Sequence, residues 1–199
     1  VSSSYDRKDK YYNLAKEQGF RSRAAFKLKE LDKKYKLLER GFKVADLGAW
    51  PGGWMQVAAQ TVGPKGLVVG IDLAEIEEFQ DDNVLTIVGD VRDEEVILKA
   101  KEAASGYYDL VLSDMSPKLI GIKEADRAGA VGCAELALWA CEELLKTDGT
   151  LVIKVFKNNE TDEFVKVMRK SFTKIVRSEL ETTRKTSDEY YCLGFGFKR

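Results

Sequence analysis

An α/β fold with a mostly parallel sheet is what this sequence predicts, and three observations carry the prediction. Short apolar runs rich in β-branched residues alternate with stretches of helical periodicity between residues 42 and 197, which places helices on both faces of a sheet. A glycine-rich segment closes the first of these runs and opens the next helix, the strand-to-helix turn of Rossmann-like architectures. The last two runs, 175–180 and 190–197, have no helical stretch between them, so one of them should run antiparallel.

Each element follows from its local pattern. Residues 6–39 are helical in period, with Leu14, Phe26, Leu28, Leu31 and Leu37 as buried candidates and Gly19 as the break between two helices. Strands are expected at 42–47, 66–73, 84–88, 108–113, 150–156, 175–180 and 190–197, a seven-stranded sheet. Helices are expected from Trp54 onward and over 94–103, 125–145 and 162–170. The organisation this implies is a basic helical extension, residues 1–40, packed on a single domain of residues 41–199.

Charge and composition narrow the chemistry. Residues 1–40 carry 12 Lys and Arg against 6 Asp and Glu, residues 41–164 carry 11 against 23, and residues 165–199 carry 9 against 4. Two basic ends flank an acidic middle, so a fold that brings the ends together offers phosphates a surface. The chain has no histidine, which excludes Ser-His-Asp and Cys-His chemistry and leaves acid-base work to Lys, Asp, Glu or Tyr. Cys133, Cys141 and Cys192 have neither zinc-knuckle spacing nor the density of a disulfide scaffold, so no metal cofactor is expected. No run reaches the roughly 18 apolar residues of a membrane helix, and residues 1–8 have no apolar stretch resembling a secretory signal. A cytoplasmic protein without membrane attachment, and a monomer, is the expectation.

Ligands of such sheets bind beyond the carboxyl ends of the strands, and four strand ends here are unusual. The first is Asp46-Leu47-Gly48-Ala49-Trp50-Pro51-Gly52-Gly53-Trp54, whose glycines permit a tight turn and close backbone approach to a ligand. It is neither a G-x-G-x-x-G dinucleotide fingerprint nor a phosphate loop. The second ends at Asp72, whose carboxylate can accept from a ribose diol of either NAD or S-adenosylmethionine. Asp90 ends the third, either to hold an adenine amino group or to cap the next helix. Asp114 and Lys154 interrupt otherwise apolar strands that should be neighbours. Buried charge of that kind is costly unless paired or functional, so the two form either a structural ion pair or the chemical centre of a cleft.

Taken with Gly19-Phe20-Arg21-Ser22-Arg23-Ala24-Ala25-Phe26-Lys27-Leu28, Ser113-Asp114-Met115-Ser116-Pro117, Lys154-Val155-Phe156 and Ser187-Asp188-Glu189-Tyr190-Tyr191, these segments closely resemble the FtsJ/RrmJ family of ribose 2′-O-methyltransferases over nearly the whole chain. The resemblance implies the S-adenosylmethionine-dependent methyltransferase version of the Rossmann-like fold. It maps the family's Lys-Asp-Lys-Glu catalytic set onto Lys27, Asp114, Lys154 and Glu189. Its cofactor contacts map onto Gly52, Trp54, Asp72, Asp90 and Asp114, and the same first turn adds Asp46, Gly48 and Gly53. The Pro-Gly-Gly-Trp turn and Ser-Asp-Met-x-Pro strand end imply methylation of a uridine ribose in large-subunit ribosomal RNA, with that RNA or the large subunit as partner. The alternatives are a tRNA anticodon-loop enzyme and a non-catalytic RNA-binding or assembly protein on the same fold. Two stretches depart from the family pattern: Trp50, where small residues are common, and Lys118-Leu119-Ile120 after the proline.

For such a transfer, Lys154 is the expected base. A free lysine has a pKa of about 10.4, so burial or the charges of Lys27 and a sulfonium must lower it. Asp114 and Glu189 orient the lysines and the ribose, and Lys27 steadies the developing alkoxide or a phosphate. A second version keeps Lys154 charged while water takes the proton. Arg21, Arg23, Lys27, Lys29, Lys33, Lys34, Arg184 and Lys185 are the residues expected to hold RNA phosphates.

Overall fold

The computed structural model describes residues 10–117, 123–184 and 187–199. In chain order its elements are α1 (Lys10–Glu17), α2 (Ala25–Tyr35), β1 (Lys43–Leu47), α3 (Gly53–Val62), β2 (Leu67–Asp72), β3 (Val84–Val88), α4 (Glu94–Ala103), β4 (Tyr108–Ser113), α5 (Lys123–Leu144), β5 (Leu145–Phe156), α6 (Asn159–Ser171), β6 (Phe172–Ser178) and β7 (Glu189–Phe197). The strands form a seven-stranded sheet in the order β3-β2-β1-β4-β5-β7-β6. β1 to β5 pair in parallel, while β7 runs antiparallel to both of its neighbours, β5 and β6. The antiparallel strand predicted near the end of the chain is therefore β7. The described residues of the 179–188 connection form no helix that returns the chain to the other end of the sheet, so β7 starts where β6 stops.

Side chains alternate across each strand, and this alternation separates two apolar clusters. Val44, Val68, Leu110, Leu112, Val152 and Leu193 face α2 and α3 together with Leu28, Leu31, Met55 and Ala58. Ala45, Val69, Ile71, Val111, Leu151 and Ile153 face the opposite way, against Ile97 of α4, Ala137 and Cys141 of α5, and Phe164 and Met168 of α6. Leu28 and Leu31 have no exposed surface, and burying each contributes about 1.5–3 kcal/mol. Helix α2 is thus part of the core. This decides the site, because a core helix can hold a charged side chain at a fixed place over the strand ends.

Several boundaries differ from the sequence reading for local reasons. The first two helices break at Gly19, which stands at φ 72°, but residues 6–9 of the expected helix lie outside the described residues. Leu28, Leu31 and Leu37 are buried as predicted, whereas Leu14 and Phe26 are only half-buried. The Phe26 ring packs on Tyr11 and Phe20 instead, with both centroids at 5.6 Å. Strand β5 starts at Leu145, earlier than expected, because buried Leu145 pairs with Tyr108 before the ladder breaks and resumes at Leu110 and Thr150. Between those pairs Asp148 takes a left-handed φ of 62°, a turn residue's conformation inside the strand. Helix α6 starts at Asn159, capped by Asn158, whose side chain accepts from the Thr161 amide at 2.7 Å.

Candidate active site

Register explains why the charged residues meet. In the parallel ladders Asp46 stands level with Gly70 and Leu112, and Ser113 with Ile153. Asp114 is therefore level with Lys154, one position past the end of β4. In the antiparallel ladder Lys154 lies opposite Tyr191, and Phe156 opposite Glu189. Counting in twos along each strand puts Asp46, Asp72, Asp114, Lys154, Glu189 and Tyr191 on one face of the sheet, the face covered by α2 and α3.

At the centre, the Lys154 side chain is 7% exposed. Its Nζ donates to the Asp114 backbone oxygen at 2.6 Å and lies 3.2 Å from Asp114 Oδ1. The Tyr191 hydroxyl donates to the same Oδ1 at 2.9 Å. Burial first, then the charges of Asp114 and Glu189, push the Tyr191 hydroxyl well above its ordinary pKa, so it remains a donor at working pH. Beside this trio Lys27 Nζ is ion-paired with Glu189 Oε1, both side chains largely buried. Thr183 Oγ1 donates to the same Glu189 oxygen at 3.1 Å. The structure brings together all four residues of the expected set, in two adjacent pairs.

Sequence reasoning passes over Tyr191 and Thr183. Tyr191 was recoverable, because it stands two residues after Glu189 in a strand and must share its face. No signal marks Thr183, whose position depends on the loop. Tyr191→Phe keeps the ring packed on Trp54, 5.8 Å between centroids, and removes only the hydroxyl. Methyl transfer by this variant is expected to fall about tenfold, with a loss of about 1 kcal/mol in stability. Single-turnover kinetics and thermal denaturation check the two effects separately.

The expected cofactor half gathers at the ends of β1 and β2. Asp46 is 1% exposed, and its Oδ2 is buried without a hydrogen-bond partner. Burial, then Asp114, then Asp72, hold its carboxyl well above the usual carboxylate range. Three carboxylates close enough to feel one another, one with an unpartnered oxygen, suit a cationic ligand that brings N–H donors, and S-adenosylmethionine, with its sulfonium charge and N–H-bearing ammonium, fits that description. Asp72 meanwhile holds the loops around it, accepting from the amides of Trp50 and Ala74 at 2.9 Å each. The Asp90 carboxylate is engaged by Arg92, whose hydrogen bonds lower its pKa. Asp90 is not the helix cap: α4 is preceded by Asp93.

The turn's glycines also make room for neighbouring parts of the protein. Gly48 and Gly52 take positive φ, 75° and 105°, as a tight turn requires. Close approaches to other side chains accompany the turn. A Cβ on Gly48 would stand 2.6 Å from Met115 Cγ, one on Gly52 3.0 Å from Arg21 Nη1 and Phe79 Cζ, and one on Gly53 2.3 Å from Ser22 Oγ. Trp54 is likewise committed inward, 3% exposed, with its indole N–H donating to the Ala24 carbonyl at 2.7 Å.

Some of the cations assigned to phosphates are also in use. Arg21 donates to the carbonyls of Glu77 and Glu78 at 2.6 and 2.9 Å and stacks on Phe79. Arg23 donates to the Thr182 carbonyl at 2.6 Å, and Lys34 to Ser178 Oγ at 3.3 Å. Lys27 is ion-paired with Glu189. Lys29 and Lys33 are exposed; Lys185 and the stretch Lys118-Leu119-Ile120 lie outside the described residues. Among the described residues no cluster of His, Cys, Asp and Glu could hold a metal ion, and no helix is long and apolar enough to cross a membrane.

Comparison with known proteins agrees with this geometry. Residues 20–197 match the family model described as FtsJ-like methyltransferase. The ribosomal RNA large subunit methyltransferase E of Methanothermobacter thermautotrophicus is 42% identical over 192 residues, covering 96% of this chain and 91% of that protein. The protein of the same name from Methanobrevibacter smithii is 40% identical over 190 residues, 96% of this chain and 90% of that one. Among solved structures, a ribosomal RNA methyltransferase from Plasmodium falciparum superposes with a TM-score of 0.77 at 26% identity, covering 89% of this chain and 98% of that one. With its fold, its clustered strand-end residues and these matches in agreement, the chain belongs to the FtsJ-like methyltransferase family and is an S-adenosylmethionine-dependent methyltransferase.

Proposed function

We propose that this enzyme methylates the 2′-hydroxyl of a ribose, a uridine's, in large-subunit ribosomal RNA, with Lys154 as base. The observation that carries the reading is the buried Lys154 amine held at two points by Asp114 beside the Lys27–Glu189 pair. The substrate class is supported by the names of relatives at about 40% identity over nearly the whole chain. S-adenosylmethionine, when bound, supplies a methyl group on a positively charged sulfur. Asp46 and Asp72 would hold its cationic and ribose portions, and Asp90 or its neighbouring backbone the adenine.

A ribose hydroxyl is a poor nucleophile, so its proton must be taken up and its oxygen held in line. As a neutral amine, Lys154 has two N–H donors for the two oxygens of Asp114 and a lone pair left for the hydroxyl proton. The Tyr191 hydroxyl fixes Asp114 from the other side. Lys27, held by Glu189, would steady the developing alkoxide or an adjacent phosphate. Lys29 and Lys33 of α2, with Arg184, supply positive charge for the RNA backbone.

The test is transfer of radiolabelled methyl from S-adenosylmethionine to large ribosomal subunits, purified large-subunit RNA and bulk tRNA. Label in ribose on a ribosomal substrate is the expected result. Label on tRNA alone would keep the chemistry and overturn the substrate. No label on any RNA, with the cofactor bound, would overturn the reading of the site.

A further inference from the structure

A stripe of polar side chains runs along α2 toward the connection between β6 and β7. Arg23, in the turn leading into α2, and Lys27, Glu30 and Lys34 along it are spaced by four, three and four residues, the spacing of a single helical stripe. All four side chains reach the segment 178–189. The Glu30 carboxylate accepts from the amides of Glu181 and Thr182 at 2.8 and 3.0 Å and from Thr182 Oγ1 at 2.8 Å. Arg23 donates to the carbonyl of that same Thr182, and Lys34 to Ser178 at the end of β6. Thr182 is 7% exposed, and its amide, carbonyl and hydroxyl are all held by two side chains of one helical stripe.

We infer that Glu30 is a positioning residue for the RNA side of the site, setting Glu189 against Lys27 by fixing the β6–β7 connection to α2. Residues 179–184 lie outside the strand ladder, so these side-chain contacts, together with the turn bond from the Thr183 amide to the Leu180 carbonyl, align them on α2. Thr183, next to the clamped residue, donates to Glu189 Oε1 at 3.1 Å, and Lys27, which pairs with Glu189, lies one helical turn before Glu30. One rigid helix thus carries both the lysine and the clamp that holds the lysine's partner. Three donors converging on one carboxylate specify direction as well as contact. The cofactor residues Asp46 and Asp72 sit on β1 and β2, across β4 and β5 from this clamp, so releasing it should leave cofactor binding alone. The inference rests on the proposed role of the Lys154 and Glu189 cluster in methyl transfer to RNA.

Glu30→Ala, Thr182→Val and the double variant test it, with the intact enzyme and large-subunit RNA. In Glu30→Ala, amide exchange at Glu181 and Thr182 is expected to accelerate, and kcat/KM for RNA to fall about 10- to 100-fold. The S-adenosylmethionine Kd should stay within about twofold, since none of its residues is touched. Glu30→Gln, which keeps one acceptor oxygen, should lose less, and the double variant should lose less than the product of the two single losses. Faster exchange with unchanged kcat/KM would overturn the inference, as would an equal loss of cofactor affinity, which would mark Glu30 as generally structural. Absence of transfer to any RNA by the unaltered enzyme would instead bring down the reading of the site, and the inference with it.

Discussion

Lys154→Ala is expected to lower methyl transfer by about 10²- to 10⁴-fold, the range a positioned proton acceptor contributes, with S-adenosylmethionine binding retained. The fold should survive the change. Asp114 is 21% exposed on its side chain and keeps the Tyr191 hydroxyl as a donor, so truncation does not strand a buried charge. Lys154→Arg separates the two forms of the mechanism. A guanidinium keeps the charge and the donors to Asp114 but has no lone pair to offer, so it fails as completely as alanine if Lys154 is the base. Retained activity in the arginine variant, with a pH-rate profile showing no ionisation assignable to Lys154 in the parent, would establish the charged lysine as an orienting group and water as the acceptor.

Asp46→Asn should move stability and cofactor affinity in opposite directions. Burial and the charges of Asp114 and Asp72 raise the Asp46 pKa in the fold, so the folded state holds its proton more tightly than the unfolded chain does. Stability therefore falls as pH rises from the unfolded value, about 4, through the folded one, and the full penalty is present above it. Asparagine removes that pH dependence and relieves the penalty, so the cofactor-free variant should melt higher at neutral pH, by roughly 2–4 °C for each kcal/mol recovered. The same exchange removes the unpartnered carboxylate that suits a cation, and affinity for S-adenosylmethionine should weaken about 10- to 100-fold. In the parent, affinity should rise with pH over the same window, because a cation favours the ionised carboxylate. Calorimetric titration and melting from pH 4 to 8 measure both. A lower melting temperature in the variant would show that the Asp46 carboxylate carries no burial penalty, and an unchanged Kd that it does not bind the cofactor's cation.

The sheet was legible in the sequence because a strand's period of two and a helix's period of 3.6 are local properties. Strands β3 and β4 and helix α4 fall at their expected bounds. β5 does not, since Leu145 belongs to the sheet only through Tyr108, a partner distant in the chain. The charged strand-end residues were legible for a related reason: Asp114 and Lys154 break apolar runs, and an interruption that costs free energy points to a use.

By itself the sequence determined the element order, because that rests on spacing along one chain, and its resemblance to the family singled out Lys27, Asp114, Lys154 and Glu189. Only the tertiary structure decided which of the two pairs each belongs to, and that Tyr191 ties Asp114 in place. It alone showed that Gly52 and Gly53 make room for Arg21 and Ser22, and that Arg21, Arg23 and Lys34 bind the protein's own backbone and hydroxyl oxygens. The physical reason is the same throughout. A side chain's period places it on a face, but its hydrogen-bond partner comes from another element, and the register between elements is set by packing across the sheet.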